Sequence, residues 1–408
     1  MLGVITRLQG LKVRQLQNIA LSIGILSSGT KKDLINRLSK TFQKHNLQPR
    51  EDGSTSRDNM VASRPQKNRN PEPMSILSID MGIRNLAYAH LLVSSRGVLE
   101  ARVSKTAQDK PLPFSGAKVY LNAWDRLAIS SFPAPDMEED PPTIPISNLG
   151  GLGTTTLIPR SCLQEEEKQV EKETKEHFAP YLYASHAYTL ITSLMEAYKP
   201  THILIERQRF RSGGGSAVQE WTIRVGVFEG MLYAVLHTLR RQGKGEQLGK
   251  VFVQGVDPQR VVRYWTNDEK KEEATPDSKK KVTSKEGKKA KIDLIGRCLS
   301  RCTGIGGYYT PTGSAAKKRP KQEISMELDL VDDSQARDIV HAYLEKWNGG
   351  NNVSKKRATL AALGKNKGNI ENIGKLDDLA DSLLQGITWL EWQKTTEKLL
   401  YNDAAIPT

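Results

Sequence analysis

The chain has 408 residues, 38% of them hydrophobic, enough for one large or two moderate cores. A formal charge of +14 and a pI near 9.5 point to a polyanionic partner, nucleic acid foremost. No apolar run approaches the ~20 residues needed to span a bilayer, so no membrane role is expected. Three cysteines (Cys162, Cys298, Cys302) without a CxxC pair argue against a disulfide framework or structural zinc and for a reducing compartment.

The first 32 residues carry Arg7, Lys12, Arg14, Lys31 and Lys32 and no acid, a composition compatible with organelle targeting. Residues 8–40 also predict a small helical unit. Leu11, Leu16, Ile19, Ala20 and Ile23 recur at helical spacing, and Gly24 can close that helix in the left-handed region. Thr30 is placed as N-cap of a second helix whose apolar face is Leu34, Ile35 and Leu38, with Lys31, Lys32 and Arg37 exposed. Leu16, Leu21, Gly24, Gly29, the run 31–35 and Arg37-Leu38 together resemble a SAP motif, a helix–turn–helix DNA-binding unit. Residues 44–73 are rich in Arg, Asn, Ser, Pro, Gln and Asp and nearly lack large apolar side chains. They predict a flexible linker between a module at 1–43 and a core at 74–408.

The core opens with residues 75–81, apolar on both faces like a buried central strand, and broken by Gly82. Residues 85–93 read as a strand returning antiparallel, and 96–106 and 117–124 as further strands. The Pro- and acid-rich stretch 133–145 reads as a loop. A long helix over 165–199 ends at Pro200, and 201–206 is a β-branched strand. Residues 217–241 predict a helix with Trp221, Val225, Phe228 and Leu232 on one face. A strand at 251–256 follows, and Asp257-Pro258 opens another helix. The lysine-rich stretch 268–291 and the stretch 308–320 are expected to be mobile insertions. Cys298 and Cys302, one helical turn apart, read as buried thiols. Residues 332–347 and 376–400 are closing helices. This order argues for an α/β fold, a mixed sheet with helices on its faces.

Four acids suit one two-metal nuclease centre. Asp80 ends the first strand, Glu206 ends the strand 201–206, and Asp377 and Asp381, four apart, share a helical face. Asp378 lies three residues before Asp381, and whether Asp377 or Asp378 is the ligand is left open. Taken singly, each acid has an ordinary reading: a strand end, a surface ion pair, or acids complementing a helix N-terminus. Together they form a natural site for Mg2+, a hard cation that takes oxygen ligands, with Mn2+ able to substitute. Two such ions would clamp the attacking and leaving oxygens of a phosphodiester hydrolysis, leaving a 5′ phosphate and a 3′ hydroxyl. No Ser/His/Asp arrangement, HExxH or P-loop appears, and no small-molecule cofactor is expected. Beyond Glu206, Arg207, Arg209 and Arg211 suit phosphate contacts, and Phe210 suits stacking on an unpaired base. The dull reading is an exposed basic loop. Arg84, Asn85, Lys31 and Lys32 complete the expected DNA-binding set.

The stretches 78–87, 205–212 and 375–384 carry a resemblance to the RNase H-like superfamily and, within it, to RuvC-like resolvases. The chain most closely resembles the fungal mitochondrial Holliday-junction resolvases, cruciform-cutting endonucleases with an N-terminal SAP module. The resemblance implies an RNase H-like mixed sheet flanked by helices, with Asp80 bridging two ions and Glu206 completing one site. It also implies a four-way DNA junction as substrate, paired symmetric cuts, mitochondrial localisation, and a homodimer matching the junction's near two-fold symmetry. The face Trp221, Val225, Phe228 and Leu232 would serve as the dimer interface or pack in the core. The competing expectations are a non-catalytic architectural junction-binding protein and a different RNase H-like nuclease or transposase.

Overall fold

The structure is a computed structural model that describes residues 2–47, 74–94, 117–132, 179–208, 220–242, 251–266, 284–303, 323–324, 326–331, 335–348 and 373–401. Three helices come first, α1 (Leu2–Gly10), α2 (Val13–Ser22) and α3 (Lys31–Leu47). Then follow β1 (Met74–Asp80), β2 (Leu86–Ser94), β3 (Lys118–Leu127), α4 (Pro180–Tyr198), β4 (His202–Glu206), α5 (Glu220–Gln242) and β5 (Phe252–Val256). The chain continues through α6 (Pro258–Thr266), α7 (Ser284–Thr303), β6 (Leu328–Leu330), α8 (Gln335–Asn348) and α9 (Leu376–Tyr401).

The strands form one six-stranded sheet in the order β5-β4-β1-β2-β3-β6. β1, β2 and β3 are an antiparallel meander, whereas β4 and β5 run parallel to β1, and β6 parallel to β3. This is the mixed sheet expected from the order of elements. β1 is buried along nearly its whole length because both faces are covered. Alternation sends Leu77, Ile79, Ile203 and Ile205 to the face under α4 and α5, while Ile76, Leu204 and Trp124 join a core with α6, α7, α8 and α9.

Several expectations need correction. Val225, Phe228 and Leu232 are buried against the sheet, so that face of α5 is core and not an interface; only Trp221 on it is exposed. Residues 284–291, expected within a mobile insertion, are the first turns of α7. Residues 2–7, read only for charge, are helical and extend the expected unit toward the N-terminus, and the short strand β6 was not anticipated. The candidate strand 96–106, the loop 133–145, the helix start 165–178 and the stretches 267–283 and 308–320 lie outside the described residues, as do 48–73.

In the N-terminal unit Gly24 takes a φ of 73°, with Gly24 N donating to Leu21 O and Ile25 N to Ala20 O, a Schellman closure of α2. Thr30 and Asp33 exchange hydrogen bonds in a capping box that opens α3. Arg37 is not a free surface cation: its guanidinium donates to the carbonyls of Leu26 and Ser28 and ties down the turn. The unit is packed on the rest of the chain. Leu399 of α9 joins its apolar core, Arg260 Nη1 donates to Gly24 O, and Trp392 lies directly beneath Gly24.

Candidate active site

The register of β1 and β4 brings the first two acids together. Ile79 pairs with Ile205 in parallel, so the next residues, Asp80 and Glu206, end neighbouring strands side by side. Alternation places Asp80 on the same face as Ser78, whose Oγ donates to Ser382 O of α9. Asp80 is only 8% exposed. Burial pushes its carboxyl well above the usual range, helped by the Glu206 charge, a hydrogen bond between the two carboxyls, and Asp381 and Asp378 beyond. Glu206 Oε2 also accepts from Met81 N and Gln208 Nε2, both at 3.4 Å. Gly82 has no room for a Cβ, which would stand 2.9 Å from the Asn85 carbonyl group, so the chain turns away tightly just past Asp80.

α9 supplies the other acids, and sheet-to-helix contacts fix its first turns. Trp124 Nε1 donates to Leu379 O (2.9 Å). The buried Gln385 donates through Nε2 to Ser78 Oγ (3.1 Å), Ile79 O (3.2 Å) and Leu204 O (3.4 Å). At Gly386 a Cβ would come within 2.8 Å of Leu91 Cδ1, so the helix approaches the sheet closely. These contacts hold Asp378 and Asp381 over Asp80 and Glu206.

The carboxyls of Asp378 and Asp381 are each pushed up to about 6. Burial is the main cause for both. Asp377 adds to the shift of Asp378; at Asp381, Lys291 opposes burial while Glu206 and Asp377 reinforce it. Asp377 differs. Burial pushes it up, but the hydrogen bond from Lys288 Nζ (2.6 Å) and that ammonium's charge hold it below the usual range. Lys291 Nζ donates to Asp381 in the same way. Both lysines come from α7, in the stretch read as an insertion, and the sequence carried no signal of their role.

The donor set suits a hard divalent cation. Acidic oxygens crowd one edge of the sheet, burial and their acidic neighbours raise the carboxyls of Asp80, Asp378 and Asp381, and the buried Asp378 Oδ2 accepts no hydrogen bond. As the side chains stand, no three Asp, Glu, His or Cys among the described residues close around a common point. The opposing positive charge comes instead from Lys288 and Lys291.

The expected DNA contacts divide. Lys31 and Lys32 are exposed on the first turn of α3. Arg84 is exposed and lies over the ring of Trp221, 5.5 Å from its centroid. Asn85 accepts a hydrogen bond from Arg126. Arg207 is exposed and runs across Gly255, where a Cβ would stand 2.8 Å from its Cγ. Gln208 N donates to Glu229 Oε2 (2.8 Å), anchoring the start of the following segment. Arg209, Phe210 and Arg211 lie outside the described residues.

Comparison with known proteins places this arrangement. Residues 76–399 match the family described as mitochondrial resolvase Ydc2 / RNA splicing MRS1. The chain is 26% identical over 228 residues to the mitochondrial cruciform cutting endonuclease 1 of Schizosaccharomyces pombe, covering 56% of this chain and 64% of that protein. It is 25% identical over 244 residues to the Saccharomyces cerevisiae protein of the same name, covering 57% and 60%. It therefore spans slightly under two thirds of each of these relatives. Among solved structures it aligns with the yeast mitochondrial Holliday junction resolvase Ydc2 at a TM-score of 0.45 and 19% identity, covering 96% of this chain and 97% of that one. Thermus thermophilus RuvC aligns at 0.21 and 14%, covering 47% and 69%. The matched segment runs from β1 through α9 and contains every acid of the centre, and the chain belongs to the family of mitochondrial resolvase Ydc2 and RNA splicing MRS1.

Proposed function

We propose that this protein is a structure-selective endonuclease that resolves four-way DNA junctions in mitochondria by paired, metal-dependent hydrolysis of phosphodiesters. The observation that carries the reading is the convergence of Asp80, Glu206, Asp378 and Asp381 on one edge of the sheet, beneath a helix clamped to it. Between the two spacings left open by the sequence, we favour Asp378 with Asp381, because Asp378 bears on Asp80 while Asp377 is engaged by Lys288. Mg2+ bound there would supply an activated water and stabilise the departing 3′ oxygen, leaving 5′ phosphate and 3′ hydroxyl ends. The protein's part is to hold the carboxylates and to grip the backbone through Arg84, Arg207, Arg209, Arg211 and the lysines of the SAP-like unit, with Phe210 stacking on an unpaired base.

Paired cuts call for two copies. The outward side of α5 offers a seam in which exposed Ile223 (47%) and Val227 (39%) are followed by exposed Gly230 and Ala234. A homodimer formed there would match the near two-fold symmetry of a junction.

The family description also names RNA splicing, which keeps an RNA partner as the second reading. One experiment separates them: incubation with an immobile four-way DNA junction, a linear duplex and a structured RNA, with and without Mg2+, for the full chain and Asp80→Asn. Symmetric nicks in the junction alone, lost without metal and in the variant, are expected. Tight binding of junction or RNA without cleavage in Mg2+ or Mn2+ would leave the binding-only reading.

A further inference from the structure

Arg126 was in no expected set, yet it stands at the edge of the acidic centre. The register explains how it gets there. Asp80 pairs with Ala87, and Ala87 pairs with Arg126, so the three lie in one row across β1, β2 and β3 and share a face. Two strand spacings separate Arg126 from Asp80, about 10 Å. Between them is only the small side chain of Ala87, which leaves the row open for a long side chain to reach along it.

The guanidinium spans two other elements. Arg126 Nη1 lies 3.2 Å from Asn85 Oδ1, in the turn that follows Asp80, and 3.8 Å from Asp378 Oδ2, on the first turn of α9. The chain makes room for it. Gly374, just before α9, has a φ of 63°, and a Cβ there would fall 2.1 Å from the Arg126 Cζ. Lys346 Nζ donates to Gly374 O and pins that turn from behind. At its own end, Arg126 N donates to Asp125 Oδ1 (2.7 Å), and Asp125 Oδ2 accepts from Gln335 Nε2 (3.2 Å). The strand end, the guanidinium and the turn that receives it are therefore each held separately.

We infer that Arg126 is a positioning residue that ties the Asp80–Asn85 turn to the first turn of α9 and sets where Asp378 presents its carboxylate. The inference rests on the proposed metal-dependent nuclease reading. Nη1 makes both contacts, a hydrogen bond to Asn85 and an ion pair with Asp378, from a planar head at the end of a long side chain; a lysine ammonium keeps the charge on a shorter, more flexible stem and so keeps the pairing without the fixed position. Groups that orient a metal-binding side chain typically change metal affinity or activity by about 10–100-fold when lost.

The test uses the full chain and Arg126→Gln, Arg126→Lys and Asp378→Asn, with thermal melts to establish folding. Mn2+ binding is read by calorimetry, junction binding in Ca2+, and single-turnover cleavage as a function of Mg2+. Arg126→Gln should bind the junction within about threefold of wild type but need roughly tenfold more Mn2+ for half-saturation and cleave roughly 10–100-fold more slowly. Arg126→Lys should recover only part of either loss. Where the Gln variant does not fold, the Lys variant decides. A folded variant with wild-type Mn2+ affinity and cleavage, beside an inactive Asp378→Asn, overturns the role of Arg126 and leaves the nuclease reading standing. Full cleavage by Asp378→Asn overturns this role and moves the ligand to Asp377, with the nuclease standing; no cleavage by the wild-type chain in Mg2+ or Mn2+ overturns the nuclease reading.

Discussion

Lys291 on α7 donates a hydrogen bond through Nζ to the carboxylate of Asp381 on α9, 90 positions away. An ammonium and a divalent cation make the same electrostatic demand on that carboxylate. Lys291→Met should therefore lower the thermal midpoint in EDTA, since an unpaired, largely buried carboxylate costs about 1–3 kcal/mol. The stabilisation gained on adding Mg2+ should grow in the same variant. Melts with and without Mg2+ read both effects, and an unchanged metal-dependent gain would count against Asp381 as a ligand.

Asp377 and Asp378 are adjacent in sequence but face different partners. Asp378→Asn should abolish cleavage, by about a thousandfold or more, while Asp377→Asn should stay within about threefold of wild type. In EDTA, Asp378→Asn should also stabilise the fold. Its carboxyl is raised from 3.8 to about 6 in the folded chain. The folded state therefore favours the proton, and the stability this contributes is present below pH 3.8 and lost as the pH rises through about 6. At neutral pH an uncharged amide removes that cost, on the order of 1–3 kcal/mol. Cleavage assays and denaturant melts separate the two predictions; cleavage by Asp378→Asn with failure of Asp377→Asn would reverse the assignment.

Gln385 bridges α9 to both β1 and β4 from a buried position. Gln385→Leu keeps the volume but leaves Ser78 Oγ and the bonded carbonyls short of a donor. A loss of about 1–3 kcal/mol in urea denaturation is expected, with a fall in cleavage larger than any change in junction binding. Wild-type stability would mean that apolar packing alone docks the helix.

His90 gives the fold a pH dependence away from the acids. It is buried between Ser75 Oγ (2.7 Å from Nε2) and Asn122 Nδ2 (2.9 Å from Nδ1) and is stacked on Tyr198. Burial pulls its pKa from 6.5 down to about 3. The unfolded chain takes up the proton first, so this contribution to stability is full above pH 6.5 and lost as pH falls toward 3. The slope is at most about 1.4 kcal/mol per pH unit. Urea midpoints between pH 4.5 and 7 should fall less steeply in His90→Gln than in wild type.

Much of the centre was legible because strands and helices display their own periodicity. An acid ending an apolar strand marks Asp80 and Glu206, and acids opening an apolar helix mark the α9 set. The stripe on α5 left interface and core open, and the core reading holds: Val225, Phe228 and Leu232 are regular because they are buried in the core under that helix, with Trp221 exposed at its start. Lys288 and Lys291 were hidden in a run of charges with no apolar rhythm, so the start of α7 looked like solvated chain. Arg126 needed the pairing of three strands, and no local pattern in one strand reports what lies two strands away. Gly374 was illegible for a similar reason, since its purpose is to leave space for a residue far from it in sequence.

α9 has a consequence that reaches beyond the acidic edge of the sheet. Its 26 residues carry Asp378 and Asp381 at one end, while Trp392 underlies Gly24 and Leu399 sits in the core of the N-terminal helices. From Asp381 to Leu399 the helix rises about 27 Å at 1.5 Å per residue. A single helix thus sets the spacing between the acidic edge of the sheet and the N-terminal helical unit, as a crossbar sets the distance between two jaws. The length of the 48–73 segment therefore has no bearing on that spacing.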